Sequence, residues 1–211
     1  MKEIIVIGGG GHAKVIISIL KRLKEYEISG YTDKKDKGPI LGVKYLGDDS
    51  ILINIKEKNK HCVLGIGQIK TAAVRLKIVE SLKKIGYDFP VIIAPTAIIN
   101  EDVSIAEGSV VMDGVVINAG TKIGKFSIIN TNCSIDHDCI LGDYNHIAPG
   151  VTISGIVKTG DRVLLGTGSC VIQEKKIVSD CIVAAGSSVQ KSLVKSGIYR
   201  GNPTKFIKKV S

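Results

Sequence analysis

From Ile99 to Val189 an aliphatic residue returns at every sixth position. The series is Ile99, Ile105, Val111, Ile117, Ile123, Ile129, Ile135, Leu141, Ile147, Ile153, Thr159, Leu165, Val171, Ile177, Val183 and Val189, and only Thr159 is not a large aliphatic. An ordinary strand alternates every two residues and ends after five or six. A period kept this long marks a repeat architecture. Alternation persists, but small or turn-forming groups interrupt it every six residues, with glycine directly after the sixth position at Gly124, Gly142, Gly160 and Gly166. A short strand, a tight corner and another short strand make a solenoid. Three hexads give one coil of roughly 18 residues, and each coil buries its aliphatics against the coils above and below.

Residues 1–95 carry a different pattern. An apolar strand over residues 3–7 runs into Gly8-Gly9-Gly10-Gly11-His12-Ala13, and Lys14 to Leu20 follow at helical spacing. In a strand, glycine turn and helix, the backbone N–H groups at the helix start can hold a phosphate. Glycine allows the close approach that a Cβ would block. Gly8-x-Gly10-x-x-Ala13 matches the dinucleotide fingerprint loosely, and a tight βα turn without a ligand reads the same way. His12 sits at the helix start, placed to touch a phosphate or sugar hydroxyl, or simply to cap the helix. A second strand, roughly Glu27 to Tyr31, ends at Asp33, where an acid can bond a ribose or a base edge. Next come Val43 to Leu46, a helical segment from Ser50 to Lys58, a strand from Cys62 to Ile66, Gly67-Gln68, and a helix from about Ile69 to Ile85. A last strand, Val91 to Ala94, leads through Pro95 into the repeat. This βαβαβ is half of a dinucleotide fold, which suits a mononucleotide or a nucleotide sugar better than NAD.

Composition narrows the function. The net charge of +9 invites a nucleic-acid reading. However, residues 1–95 hold 17 basic and 10 acidic side chains, residues 96–190 hold 6 and 10, and residues 191–211 hold 6 and none. The positive charge therefore lies at the two ends. With 4% aromatic residues and no Trp, stacking platforms for bases are thin, whereas phosphorylated small molecules fit. Five cysteines without a C-x-x-C pair argue against a disulfide framework and a zinc cluster. No apolar run approaches the roughly 20 residues of a membrane span. The opening Met1-Lys2-Glu3-Ile4-Ile5-Val6-Ile7 reads as a first strand rather than a signal peptide. The expectation is a cytoplasmic protein with neither membrane insertion nor a nucleic-acid partner.

Two of the four histidines lie in the repeat. His137 stands in Asp136-His137-Asp138-Cys139, and an imidazole beside carboxylates is the arrangement of a general base. His146 follows nine residues later, directly before Ile147. Each can equally be an exposed polar residue on a solenoid wall. Acyl transfer from a thioester needs a base for the nucleophile's proton and an N–H for the oxyanion, with no metal and no covalent enzyme intermediate. Ser154-Gly155-Ile156 offers an open backbone N–H.

The segments Gly8 to Lys14, Tyr31-Thr32-Asp33, Gly65-Ile66-Gly67, Asp136 to Gly142, His146 to Gly155 and Tyr199 to Lys205 resemble, together and in order, one family. It is the hexapeptide-repeat sugar acyltransferase family, which includes the UDP-4-amino-sugar N-acetyltransferase of bacillosamine biosynthesis, perosamine N-acetyltransferase and the sialic-acid O-acetyltransferases. The resemblance implies a half-Rossmann α/β domain over residues 1–95, a left-handed parallel β-helix over 96–190 and a C-terminal cap or tail over 191–211. It implies a homotrimer, with acetyl-CoA as co-substrate and no metal. It makes His137 the general base and Asp138 its orienting acid, where the bacillosamine enzyme has Glu. It places His146 at the thioester, the Gly155 N–H at the oxyanion, and Thr167 and Ala185 along the coenzyme groove. Gly10, Gly11 and His12 hold the nucleotide-sugar phosphates and sugar, and Asp33, with Lys34 and Gly67 nearby, reads the uracil or ribose.

The expected function is acetyl-CoA-dependent N-acetylation of a UDP-linked 4-amino-deoxy sugar in bacterial glycan biosynthesis, by direct transfer in a ternary complex. Rival readings are O-acetylation of sialic acid or a related nonulosonic acid, a non-catalytic nucleotide-sugar-binding scaffold, and an NAD-dependent oxidoreductase. The last lacks a Tyr-x-x-x-Lys and a second Rossmann half.

Overall fold

The structure is a computed structural model that describes residues 1–55, 60–69 and 71–210. It divides into two compact units, one made of Met1–Gln68 and Ala72–Pro95, the other built on the chain from Thr96 onward.

In the first unit, β1 (Lys2–Ile7), β2 (Tyr26–Thr32), β3 (Tyr45–Gly47) and β4 (His61–Leu64) form a parallel sheet in the order β3-β2-β1-β4. Ile4 to Ile7 are fully buried, as a parallel strand covered on both faces requires. The helix α1 (Gly11–Arg22) buries Ala13, Ile16, Ile17, Ile19 and Leu20, and Lys21 and Arg22 lie in its last turn, where the helix dipole favours cations. This is a Rossmann-like α/β half-fold, with three departures from the sequence reading. First, Ile92–Ile93 is strand but is not one of the four strands of this sheet, and Ile93 is already six residues before Ile99. Second, the last helix, α3, begins at Ala73 (Ala73–Lys84; the short α2 is given below), not near Ile69. Ile69 is 83% exposed, and Ala72 offers no capping side chain, so nothing extends the helix backwards. Third, the segment from Ser50 is a 3-10 turn (Asp49–Ile51) running into α2 (Leu52–Ile55), and its continuation to Lys58 lies outside the described residues.

The second unit is a left-handed parallel β-helix. Its strands are mostly two residues long, and each of the sixteen expected positions falls within one. From Val111 to Val189 these side chains are at most 7% exposed. Strands pair with those 18 residues on, as in Ser134↔Thr152, Ile135↔Ile153, Ile128↔His146 and Lys122↔Ile140. Burying each aliphatic contributes roughly 1.5–3 kcal/mol, and the coil-to-coil ladder satisfies the backbone.

A second six-residue period shapes the corners. Every sixth residue from Asp102 to Gly186 is left-handed, with φ between +52° and +73°. Its N–H reaches the carbonyl of the coil below, as Asp138 to Ala119 at 3.0 Å and Ile156 to His137 at 2.9 Å. The Gly-after-aliphatic positions answer a different need. A Cβ on Gly124 or Gly142 would lie 2.4–2.6 Å from the neighbouring coil.

Beyond the repeat, Gly197–Arg200 pairs in parallel with Cys181–Val183, and Lys205–Lys208 pairs antiparallel with Gly197–Arg200. Among the described residues no helix is long and apolar enough to cross a membrane.

Candidate active site

His137 and Asp138 are the two central residues of one corner, between strands Ser134–Ile135 and Ile140–Leu141. The left-handed conformation of Asp138 (φ +56°) turns its side chain back toward the ring. Asp138 Oδ2 lies 2.9 Å from His137 Nδ1. An ionised carboxylate only accepts, so Nδ1 carries the proton and the lone pair is on Nε2. On the other side, Asp136 Oδ1 accepts the His137 backbone N–H at 2.9 Å and the Asn118 amide at 3.0 Å, and Asn118 in turn takes a hydrogen bond from Asn100. The Asp138 bond raises the His137 pKa, desolvation lowers it less, and the Asp136 charge adds to the rise. The N–H of His137 and the Asn118 amide hold the Asp136 carboxyl below its ordinary value.

Gly155 lies one coil above His137. A Cβ there would be 2.6 Å from His137 Nε2 and 2.7 Å from Cε1, so the imidazole occupies the space that any other side chain would fill. The Gly155 carbonyl accepts from Glu174 at 2.9 Å. Its N–H meets no acceptor among the described residues. Imidazole, carboxylate and open N–H are thus gathered at one spot.

His146 is not brought to that spot. It belongs to the strand after Ile140–Leu141, His146–Ile147, with Ile128 below and Leu164 above. Its Nε2 is 3.2 Å from Asn130 Nδ2, and Asn130 Oδ1 is held by the Thr131 N–H at 2.8 Å. Nε2 therefore accepts, which leaves Nδ1 as the donor. Thr167 and Ala185 stack 18 residues apart at the following corner. Both are exposed, and their N–H groups meet no acceptor among the described residues. Each is followed by a left-handed glycine, Gly168 and Gly186, whose missing Cβ would face open space. Together they form a smooth, donor-lined corner.

In the N-terminal unit, Gly8 to Gly11 and Gly65 to Gly67 lie at the carboxyl ends of β1 and β4, beside which the strand order reverses. That is where open α/β sheets bind ligands. Gly10 and Gly11 have open space where a Cβ would point, and Gly67 lies 3.8 Å from the His12 Cβ by the same construction. A cleft of about 360 Å³ is lined by Gly9, Gly10, Gly11, Lys14, Lys37 and Leu41, among others. Lys14 in the first turn of α1 and Lys37 in the segment after β2 give it phosphate chemistry. Both escaped the sequence reading, although Lys14 lies one helical turn beyond Gly10 and Gly11.

Asp33 is already engaged. Its Oδ2 accepts the Gly9 N–H at 2.8 Å and lies 3.2 Å from Lys37 Nζ, and its Oδ1 accepts the Lys35 N–H at 3.2 Å. Burial pushes its carboxyl up, but these partners outweigh it and hold the pKa below the ordinary value. The Tyr31 hydroxyl donates to the Gly38 carbonyl at 2.7 Å and so pins the loop that rims the cleft. Lys34 is exposed beside it. Among the described residues no group of three or more His, Cys, Asp or Glu side chains is placed to hold a metal ion.

A perosamine N-acetyltransferase from Caulobacter crescentus, solved as a histidine-to-asparagine variant in complex with CoA and GDP-perosamine, matches 99% of this chain and 98% of its own. It is 34% identical, with a TM-score of 0.93. The chain belongs to the hexapeptide-repeat sugar acyltransferase family. Other comparisons place this acyltransferase in the same company. The family model of the PglD N-terminal domain matches residues 3–82, and the bacterial transferase hexapeptide model matches residues 120–155, the stretch that holds His137, Asp138, His146 and Gly155. The acetyltransferase domain of PglB from Neisseria gonorrhoeae FA1090, solved with acetyl coenzyme A, is 30% identical over 98% of this chain and 99% of its own, with a TM-score of 0.91. GDP-perosamine N-acetyltransferase of Escherichia coli O157:H7 is 27% identical over 80% of this chain and 77% of its own.

Proposed function

We propose that this acyltransferase transfers an acetyl group from acetyl-CoA to the amine of a nucleotide-linked 4-amino-deoxy sugar, with His137 as the general base. One observation carries the reading: His137 Nδ1 is bonded to Asp138, and its Nε2 lies against Gly155, whose N–H is open. Nε2 removes the proton of the sugar amine, and Asp138 stabilises the imidazolium that results. General-base catalysis of this kind contributes about 10²–10⁴-fold. The Gly155 N–H points its dipole at the carbonyl oxygen as negative charge develops there. Acetyl-CoA supplies the activated thioester: as the C–N bond forms its C–S bond breaks, and the coenzyme leaves as the thiol with the proton that Nε2 took. The open N–H groups of Thr167 and Ala185, with the bare glycines after them, suit an amide-bearing arm lying along that corner. We assign His146 to the thioester end of the same ligand.

Two features favour an amine over an anionic nonulosonic acid. Asp136 and Asp138 flank the base, which attracts an ammonium-bearing acceptor and repels a carboxylate. The cleft with Lys14 and Lys37 suits a nucleoside diphosphate, held by the N–H groups of Gly10 and Gly11 with His12 and Gly67 beside them. Asp33 and Lys34 stand at its edge for the base or ribose. The nucleotide we favour is UDP, and GDP is the paired alternative. The base lies at a corner and His146 on a strand further around the coil, so a homotrimer, with sites assembled between neighbouring copies, is the arrangement we infer. A small nucleotide-linked substrate of this class suits a cytoplasmic protein, the location we favour.

The test is thiol release from acetyl-CoA with UDP- and GDP-linked 4-amino-4,6-dideoxy sugars and with sialic acid, comparing wild type with His137→Ala. Turnover on an amino sugar, cut by at least about 10²-fold in the variant, supports the reading. Turnover on sialic acid alone moves the protein to O-acetylation. Coenzyme binding without turnover on any acceptor points to a scaffold.

A further inference from the structure

The residue after Gly155 is unusual for its position. Ile156 is left-handed, with φ +62°, and it is the only β-branched side chain among the non-glycine residues with positive φ in the described chain. A β-branched residue there is a steric outlier, and such strain persists where the surroundings or the function hold it. Asn, Asp or Gly would adopt this conformation more easily, and the same corner uses Asp102, Gly120 and Asp138 in the coils below. Packing does not explain the choice, because Ile156 is 41% exposed and adds no buried aliphatic to the solenoid. Its place does explain it. The Ile156 N–H bonds the His137 carbonyl at 2.9 Å, which stacks Ile156 directly over Asp138. The preceding Gly155 abuts His137 Nε2, the atom that meets the acceptor amine. One coil higher the rim becomes polar again, with Gln173 and Glu174 both exposed. Ile156 is thus an exposed apolar side chain in a column that is otherwise acidic or bare.

We propose that Ile156 is a specificity-determining residue that reads the methyl group of a 6-deoxy amino sugar. This deepens the acceptor reading given above and rests on it. In a 4-amino-4,6-dideoxy hexose the methyl, C6, is carried on C5, the ring carbon next to the C4 that bears the amine, so an amine hydrogen-bonded to Nε2 brings the methyl to the adjoining residue. An apolar contact there favours a methyl over a hydroxymethyl, whose hydroxyl would lose water without gaining a partner.

The experiment compares wild type, Ile156→Val and Ile156→Asn on paired UDP- and GDP-linked 4-amino sugars, 6-deoxy and 6-hydroxy, together with thermal unfolding. Wild type is expected to prefer the 6-deoxy acceptor. Ile156→Asn is expected to lose about 10-fold of that preference, chiefly through the acceptor KM, with the KM for acetyl-CoA unchanged. Its unfolding temperature is expected to stay level or rise, because Asn tolerates the left-handed conformation. Ile156→Val keeps the preference. An unchanged preference in Ile156→Asn, or an equal loss on both acceptors, overturns the inference while leaving the proposed function intact. Wild-type turnover without any preference does the same. Failure of wild type on every amino sugar overturns both.

Discussion

The imidazole of His137 is held from three sides, and each contact has a consequence for its chemistry. Asp138 fixes the tautomer, Asp136 holds the backbone N–H, and Gly155 clears the space that the ring fills. A base works only when unprotonated. A raised pKa therefore means that activity falls as the pH drops through that raised value. Asp138→Asn removes the largest cause of the rise. Its acid limb is expected to move to lower pH, with kcat at neutral pH reduced on the order of 10²-fold through the weaker base. A pH profile of kcat/KM for both forms measures this, and an acid limb that stays in place would contradict the pairing. The doublet His137-Asp138 was legible as a base beside an acid. The role of Gly155 as the seat of the ring was not, because that contact joins residues 18 apart in the chain. Likewise Asp33 was legible as an acid ending a strand, while its grip on the Gly9 N–H appears only once β1 and β2 lie side by side.

Inside each coil, small polar side chains complete what the aliphatic hexads leave open. Ser109 donates to the Gly124 carbonyl, Thr121 to that of Asp136, Cys133 to that of Ala148 and Cys139 to that of Ser154. This explains cysteines that form neither disulfides nor metal sites. They are small buried donors, and burial pushes the Cys133 and Cys181 thiols up to about 11. Thr159, the exception in the hexad series, belongs to the same system. The buried Asn145 donates through Nδ2 to Thr159 Oγ1 at 2.6 Å and accepts the Val163 N–H at 2.7 Å. Valine would restore the aliphatic period at 159 with hardly any change in volume. It would also leave the Asn145 amide without this acceptor. Thr159→Val is therefore expected to destabilise by about 1–3 kcal/mol, read from denaturant or thermal unfolding, whereas a stabilised variant would show that the hexad alone governs the position.

The two units share an electrostatic property at the scale of the whole chain. Asp33 and Asp48 in the first unit, and Asp136 and Asp180 in the second, all have carboxyls held below their ordinary value. Asp180 is lowered mainly by Arg162, which bonds it through Nε and Nη2, both at 2.8 Å. A depressed folded-state pKa contributes stability above the unfolded-state value, and that contribution is lost as the pH falls through the folded value. The unfolding temperature is accordingly expected to stay flat near neutrality and to drop below about pH 4, as calorimetry across pH would show. At this scale the order of the units was legible because periodicity is local: one aliphatic per six residues dictates a coil, and a glycine turn between strand and helix dictates a βα unit. The segment near Ile69, by contrast, carried an apolar pattern that the fold does not use as helix, and the corner conformation repeated from Asp102 to Gly186 hid behind residues as different as Phe126, Tyr144 and Arg162. The amino-acid sequence settled the architecture and marked His137 as the base we propose, since both depend on residues close together in the chain. Which backbone seats the imidazole, which partners occupy Asp33 and why position 159 is Thr were settled by coil stacking and strand pairing, which join residues that no local pattern relates.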